Sequence, residues 1–418
     1  MDIEPLLKYF VSKRVPYPEP SGSHQIRLMA LVPGKWSDGI SCEVFRVSWE
    51  GIPKMLEYKA LSYAWGLPSR NDSTVLVNDC PVKVTINLEQ ALKYERSPDK
   101  YVILWVDALC IDQKNNSERT FQVSQMGRIY SKATEVVVFL GHGLGERSTT
   151  RGRTKQLDQY RFESTSADTL YTSRFLARWK APRIPRRVTE SDVFCLISIL
   201  SRARHLVDPF ASLNGISQVA LTALFEGLRK LLISRWWDRI WVVQEAVLAK
   251  AITVRFGNAS APWELLADVA GLCSQHRIYS KLQQVSASDI KVLSLLSKAT
   301  DINVLRQTWR QNEKPSLLFV LRKFSSRQAS DERDKIYALL GLCNSDIPLT
   351  PDYSRTTTEA YRETTIDIIR ASNTLEVLSG DVGRKNRQDL PSWVPDWSAT
   401  FGDHDRERVP FLSQYNAC

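Results

Sequence analysis

The distribution of apolar residues in the first part of the chain predicts a series of β-strands. "HQIRLMALVPG" (24–34) and "SCEVFRVSW" (41–49) alternate between apolar and polar positions, which predicts an opening pair of strands. "YKALSYAWG" (58–66) predicts a short apolar strand that ends in a glycine loop. "TVLVNDCPVKVT" (74–85) predicts a hairpin, because two strand-like halves meet at the turn Asn78-Asp79.

Helix-like and strand-like patterns alternate after this hairpin. "NLEQALKYE" (87–95) predicts a helix with Asn87 as its N-cap, and "SERTFQVSQMGRIYSKA" (117–133) predicts a second helix. The intervening "YVILWVDALCID" (101–112) and the following "EVVVFLG" (135–141) are almost continuously apolar. Buried strands that alternate with helices are typical of a parallel sheet covered on both faces. The predicted fold class is therefore α/β, with a mostly parallel sheet flanked by helices.

Changes in composition divide the chain into five predicted segments. Between residues 146 and 190, Arg, Ser, Thr and Asp dominate and hydrophobic periodicity is poor, which predicts a loop. Helical patterns resume after this loop and dominate the last third of the chain. The predicted segments are an N-terminal lead-in (1–24), the sheet-forming first half of the main domain (25–145), a basic insertion loop (146–190), the second half of that domain (191–275) and a helical C-terminal region ending in a Trp/Pro-rich segment (276–418).

The stretch "SRWWDRIWVVQEAVLA" (234–249) combines three tryptophans with a glutamate. Helical spacing predicts that Trp237, Trp241 and Glu245 share one face, each four residues from the next. A tryptophan stripe normally belongs to a core, but an ionisable group is costly to bury without a partner. Two interpretations remain open for Glu245: a functional carboxylate, or an ion pair with Arg239 or another arginine.

Composition and charge exclude several classes of protein. The 418 residues are 43% hydrophobic and 24% charged, as in a soluble globular protein, and no apolar run approaches the roughly 18–20 residues of a membrane span. Seven scattered cysteines and the lack of an apolar signal segment predict reduced thiols and a cytoplasmic location. The net charge of +10 is concentrated in 146–190, with eleven Lys/Arg against five Asp/Glu, so nucleic-acid binding is disfavoured. Five isolated histidines and the missing phosphate-loop motifs predict neither a metal site nor a bound cofactor.

Several stretches, taken in order, resemble the HET domain, the heterokaryon-incompatibility module of filamentous fungi. They are "YKALSYAWG", "VTINLEQAL", "LWVDALCIDQKNNSERTFQVSQMGRIYSKATEVVVFLG", "SRWWDRIWVVQEAVLA", "DERDKIYALLGL", "PDYS" and "LPSWVPDWS", which together extend over most of residues 25–398. The resemblance implies a cell-death effector in fungal nonself recognition. It also implies self-association and an allelic or receptor protein as partner.

HET domains are in turn remotely similar to TIR domains, and this resemblance suggests a chemistry. "WVVQE" is similar to the TIR pattern in which a glutamate follows a tryptophan by four residues, although Val242 replaces the usual cysteine. In TIR enzymes that glutamate engages a ribose of NAD and supports cleavage of the nicotinamide glycosidic bond. The resemblance therefore implies NAD as a substrate and Glu245 as the catalytic residue, since a carboxylate can stabilise an oxocarbenium-like centre.

The predicted binding site lies at the carboxyl edge of the sheet, where open α/β sheets bind their ligands. Glycine allows close approach of the backbone to a phosphate, and aromatic rings can stack on a base or on nicotinamide. The predicted substrate-binding residues are Tyr63, Trp65, Gly66, Asp107, Asp112, Trp237 and Trp241.

Two other functions are compatible with the same sequence. A non-catalytic module could trigger cell death by self-association and recruitment alone. A basic nucleic-acid-binding regulator is a weaker alternative, which would require a steep salt dependence of binding. "DERDKIYALLGL" is predicted to be structural, with Arg333 and Asp334 in ion pairs inside the domain.

Overall fold

The computed structural model describes ten stretches of the chain. They are residues 25–49, 57–66, 72–145, 160–161, 167–181, 187–202, 211–274, 295–344, 349–379 and 385–399. The chain forms two compact units, each assembled from three separate segments. Unit 1 is Met1–Asp112, Lys132–Trp237 and Ala249–Asn303, and unit 2 is Gln113–Ser131, Asp238–Leu248 and Val304–Cys418.

Ten strands of unit 1 form one mixed sheet within the described residues. They are β1 (Gln25–Leu31), β2 (Ser41–Ser48), β3 (Lys59–Tyr63), β4 (Ser73–Val77), β5 (Cys80–Val84), β6 (Val102–Trp105), β7 (Glu135–Phe139), β8 (Tyr160–Arg161), β9 (Ile252–Phe256) and β10 (Ala259–Pro262). Their order is β5-β4-β2-β1-β6-β3-β7-β9-β10-β8. Strands β6, β3, β7 and β9 are parallel neighbours, while β1 pairs antiparallel with β2 and β6. The α/β class and the parallel centre of the sheet are as predicted.

Twelve α-helices complete the described fold. They are α1 (Ile86–Glu95), α2 (Asp107–Cys110), α3 (Asn116–Lys132), α4 (Ala167–Trp179), α5 (Glu190–Arg202), α6 (Gln218–Leu232), α7 (Trp241–Val247), α8 (Trp263–Ser274), α9 (Ser297–Arg310), α10 (Leu317–Lys323), α11 (Asp334–Leu340) and α12 (Thr357–Ser372). The described part of the chain beyond residue 295 is largely helical, which confirms that prediction. Among the described residues, no helix combines the length and the apolar character that crossing a bilayer requires.

Both faces of the central sheet are covered within unit 1. The ring of Tyr94 from α1 packs against Phe139 at the end of β7, with 5.8 Å between ring centroids. Tyr63 of β3 pairs with Phe139 and lies on the same face of the sheet. Its neighbour Ser62 points to the opposite face, because successive residues of a strand alternate between faces. Its Oγ accepts a hydrogen bond of 2.7 Å from Nε1 of the buried Trp236. The ends of the parallel strands are therefore embedded between two packed layers.

Three local predictions were wrong. The N-cap of α1 is Thr85, whose Oγ1 accepts a hydrogen bond from the Leu88 amide, and Asn87 has another role, described below. The segment predicted as an insertion loop contains helix α4, whose buried Phe175 and Trp179 lie one helical turn apart. The abundance of arginine and serine around these two rings concealed a short apolar stripe.

The third error concerns the tryptophan-rich stretch, which is not one helix. Arg235–Asp238 is a 3-10 turn, and α7 begins only at Trp241. Between them, a β-bridge joins Arg239 to Gln328, and the Ile240 amide donates to the Gln328 carbonyl oxygen at 2.9 Å. Trp237 consequently belongs to unit 1, whereas α7 belongs to unit 2, and the three predicted residues do not share one helical face.

Candidate functional site

The order of the four parallel strands determines where unit 1 can bind a ligand. Numbered along the chain, β3, β6, β7 and β9 lie in the spatial order second, first, third, fourth. This is the flavodoxin-like doubly wound order, whose topological switch point lies between the first and third strands. Ligands of such sheets bind outside the carboxyl ends of the strands at that point. The switch point of this sheet lies between Tyr63, which ends β3, and Phe139, which ends β7.

An indole ring is held in a defined orientation beside this switch point. Trp65 follows β3, and its Nε1 donates to Asp107 Oδ2, after β6, at 2.6 Å. The other Asp107 oxygen accepts the Ala108 amide at 2.7 Å, which fixes the carboxylate. Asn87 Nδ2 donates to the Ala64 carbonyl oxygen at 2.6 Å and so anchors the same loop. Trp65 is nevertheless 39% exposed, so part of its ring is open to a ligand.

Two glycines at the same edge have backbone conformations that other residues rarely adopt. Gly66, after β3, has φ of 77°, and Gly141, after β7, has φ of 117°. Among the described residues, no heavy atom outside the chain neighbours lies within 4 Å of a Cβ built at either position. Both loops can therefore bring backbone amides close to a bound group. Gly143, by contrast, is closed off by Glu190, whose Oε1 accepts the Leu144 amide at 2.7 Å.

The remaining predicted residues of unit 1 have different environments. Tyr63 is buried on the sheet face that carries Phe139, and Asp112 is partly exposed at the end of the first segment of unit 1. Trp237 is buried edge-to-face against Trp236, with 4.9 Å between centroids, and its Nε1 donates to the Leu231 carbonyl oxygen. This placement makes Trp237 a core residue and leaves no face of its ring for a ligand.

Trp241 and Glu245 lie one turn apart on α7, in unit 2. Trp241 is partly exposed, whereas Glu245 is only 1% exposed. Helix α7 is fixed at its C-terminal end by the buried Arg306, whose Nη1 donates to the Ala246 carbonyl oxygen at 2.7 Å. The side chain of Gln244, also buried, packs directly against Gly341, where a Cβ would leave no room for its amide. The helix that carries Glu245 is therefore held rigidly inside its own unit.

A polar group of side chains in unit 2, here called the Tyr353 cluster, was not predicted as a site. Its members are Arg119, Asp331, Arg333, Asp334 and Tyr353. Tyr353 Oη donates to Asp334 Oδ1 at 2.6 Å, and Trp241 donates a further hydrogen bond to the same carboxylate. Arg333 forms an ion pair, as expected, but with Asp331. The blocks "DERDKIYALLGL" and "PDYS" carry four of these residues, but only tertiary contacts show that Arg119 joins them.

Burial raises the pKa of Asp334 from 3.8 to about 6. Because the folded state holds this proton more tightly than the unfolded state, the stability that Asp334 contributes is present at low pH and is lost as the pH rises through about 6. Asp334→Asn keeps an acceptor oxygen and removes the titration. Between about pH 5 and about pH 8, the wild-type free energy of unfolding should therefore fall relative to the variant by roughly 1–2 kcal/mol. Urea unfolding at several pH values measures this difference.

Asp389→Asn is the matched control for that titration. Hydrogen bonds from Arg387 and Thr358 lower the pKa of Asp389 to about 2, so its own titration is complete below this pH range. The difference between wild type and Asp389→Asn should be constant from about pH 5 to about pH 8. A constant difference for Asp334→Asn as well would contradict the assigned environment of Asp334.

The fold and this edge together define an α/β protein with a doubly wound parallel centre and an open position at its switch point. Residues 58–245 match the family model described as Heterokaryon incompatibility protein (HET), so this part of the chain is similar to that family. It is 23% identical over 430 residues to "Heterokaryon incompatibility protein 6, OR allele" of Neurospora crassa. That alignment covers 94% of this chain and 60% of the relative, so the chain spans about 60% of the relative's length. No solved structure matches the chain.

Proposed function

We propose that this protein is a cytoplasmic cell-death effector of heterokaryon incompatibility, acting in fungal nonself recognition. Support comes from the similarity of residues 58–245 to the HET family and from the relative in Neurospora crassa, which is named as one allele of an incompatibility protein. Self-association of the chain triggers death, and an allelic or receptor protein is the partner that induces this association. Expression in a fungal cell, with and without a forced dimerisation tag, tests whether assembly of this chain is sufficient to kill.

The ligand of the HET domain is NAD or a related nucleotide, bound at the carboxyl edge of the sheet in unit 1. The observation that carries this proposal is the Trp65 ring, held by Asp107 and still exposed, beside the switch point between β3 and β7. The ring stacks on nicotinamide or on a base, and the open turns at Gly66 and Gly141 admit a phosphate. Trp65, Gly66 and Asp107 of the predicted substrate-binding residues therefore form this site, and the buried Trp237 has no part in it.

Catalysis by Glu245 is the enzymatic form of this proposal. Water adds to the ribose carbon, the glycosidic bond to nicotinamide breaks, and ADP-ribose, nicotinamide and a proton are released. A carboxylate beside the ribose stabilises the cationic centre. Glu245 belongs to unit 2 and is 1% exposed, and a catalytic group must reach its substrate, so catalysis by Glu245 requires its side chain to become exposed on assembly. The same burial favours the second candidate, a non-catalytic module in which assembly alone transmits the death signal.

One experiment separates these forms. Wild type, Trp65→Ala and Glu245→Gln are compared for NAD binding and for nicotinamide release, with and without forced dimerisation. Trp65→Ala should weaken NAD binding about tenfold or more, since stacking of one base contributes ~1–3 kcal/mol. Glu245→Gln should abolish release while binding is kept. The matched control is Trp393→Ala, because Trp393 is 39% exposed, as Trp65 is, and belongs to unit 2.

The outcomes discriminate between the proposals. Equal losses of NAD binding for Trp65→Ala and Trp393→Ala would overturn the site at the sheet edge. Killing without nicotinamide release in any assembled state would favour the non-catalytic module. Full activity of Glu245→Gln would exclude Glu245 as the catalyst and would leave the nucleotide site intact.

A further inference from the structure

Arg119 of unit 2 lies over the Tyr353 ring and interacts with the carboxylates of Asp331 and Asp334 without a close ion pair to either. Its guanidinium carbon lies over the Tyr353 ring, 4.1 Å from the ring centroid. Its ion pair with Asp331 is long, with 4.0 Å between Nη2 and Oδ2, and the side chain is 29% exposed. The Nε atom is buried and has no hydrogen-bond partner among the described residues. The contact with the Tyr353 ring therefore orders the Arg119 side chain, and its Nη groups remain available to bind a ligand.

Arg333, the second arginine of the Tyr353 cluster, holds the Asp331 carboxylate, so Asp331 forms only a long ion pair with Arg119. Arg333 binds Asp331 through two hydrogen bonds, Nε to Oδ1 at 2.8 Å and Nη2 to Oδ2 at 2.6 Å. Its Nη1 donates to the carbonyl oxygens of Tyr353 and Arg355, at 2.8 and 2.6 Å. Arg333 is thus fully engaged, and both oxygens of Asp331 already accept from it. Among the residues that the structure describes, Arg119 therefore has only the long ion pair with Asp331 and keeps most of its donors available.

A guanidinium held by stacking is well suited to bind a tetrahedral oxyanion. Its two parallel N–H groups match two oxygens of a phosphate, and its plane is ordered before the ligand arrives. A lysine at this position would provide charge without that fork. Arg119 also lies in the first turn of α3, where the backbone amides favour negative charge and Asn115 Oδ1 accepts the Glu118 amide. The positive charge, planar geometry and partial exposure of the Arg119 guanidinium therefore all favour a tetrahedral oxyanion as its ligand.

We propose that Arg119, oriented by Tyr353, is an oxyanion-binding residue that takes a phosphate group of a phosphorylated ligand. This site lies within unit 2 and does not rest on the nucleotide site proposed for unit 1. Free pyrophosphate and the diphosphate of a dinucleotide have the same recognition chemistry. The two sources are distinguished by testing pyrophosphate, NAD and nicotinamide riboside, which carries no phosphate.

Calorimetric titration of the full chain with pyrophosphate tests the proposal. Arg119→Gln should weaken pyrophosphate binding roughly ten- to hundredfold, as expected when a charge-assisted bidentate contact is lost. Arg119→Lys should give an intermediate loss, because charge remains but the fork does not. Nicotinamide riboside should compete with pyrophosphate in no variant. If NAD competes with pyrophosphate in wild type, the dinucleotide is a ligand of this site.

Arg370→Gln is the matched control, because Arg370 belongs to the same unit and has a similarly long ion pair, 3.7 Å from Asp367. It should bind pyrophosphate as wild type does. Thermal unfolding of each variant shows whether the fold is kept, and Tyr353→Phe, which retains the ring, should retain binding. The proposal is overturned if wild type shows no saturable pyrophosphate binding, or if Arg119→Gln binds as well as Arg370→Gln does. Loss of NAD binding in Trp65→Ala with unchanged pyrophosphate binding would separate this site from the one in unit 1.

Discussion

Replacing Glu95 by alanine is expected to lower the free energy of unfolding by about 3–5 kcal/mol, among the largest effects of any single substitution in unit 1. Glu95 Oε1 pairs with Arg255 Nε at 2.7 Å, and the two side chains are 4% and 10% exposed. Lys59 approaches the same carboxylate at 3.9 Å. Removing the carboxylate leaves a buried guanidinium without its partner, and that uncompensated charge accounts for most of the cost. Urea unfolding followed by tryptophan fluorescence measures the loss.

The control removes both members of the pair. The double variant Glu95→Leu/Arg255→Met replaces two buried charges by apolar groups of similar volume, and such replacements are often close to neutral. It should recover most of the stability that Glu95→Ala loses. A double variant less stable than Glu95→Ala would show that the ion pair itself, rather than the cost of an orphaned charge, stabilises the sheet.

Trp236→Ala should destabilise unit 1 by about 3–5 kcal/mol, the range for removal of a large buried ring. Trp236 is buried between Trp237 and Trp263, and its Nε1 donates to Ser62 on β3. The substitution leaves a cavity beneath the central strand and removes the hydrogen bond that Trp236 donates to Ser62. Unfolding by guanidinium, followed by far-ultraviolet circular dichroism, measures the change without relying on tryptophan fluorescence.

Trp236→Phe separates packing from hydrogen bonding at this position. The ring is kept in part and the hydrogen bond to Ser62 is lost, so the loss should be clearly smaller, with about 1 kcal/mol from the hydrogen bond. Equal losses for alanine and phenylalanine would contradict a packing role for the indole.

The strands of the sheet were predictable because their signal is local. β3 and β7 are short apolar runs beside turn residues, and the hairpin of β4 and β5 turns at Asn78 and Asp79, both with positive φ. Asparagine and aspartate tolerate that conformation better than most residues, so the turn is visible in the sequence. β1 and β2 are consecutive and were predicted as a pair, whereas the antiparallel pairing of β1 with β6 joins distant segments and has no local signal.

The candidate site was partly predictable for the same reason. Trp65 and Asp107 each follow a predicted parallel strand, so the carboxyl edge of the sheet brings both together. The continuous helix through Trp237 and Glu245 was wrong, because an i, i+4 pattern takes no account of the bridge between Arg239 and Gln328 that ends it. Arg119 and Tyr353 are distant in sequence, and nothing near either residue indicates their contact.

Because unit 2 is assembled from three separated segments, the chain cannot be shortened or recombined at most positions without breaking this unit. Helices α3 and α7 are encoded within the span of unit 1, yet they pack with residues that follow Asn303. A stop codon near that point would leave α3 and α7 without the C-terminal segment of their unit and would remove the hydrogen bond from Arg306 to α7. The shortened product should therefore be degraded by cellular proteases. In a chimera of two related chains, stability would be kept best where all three segments of unit 2 come from the same parent.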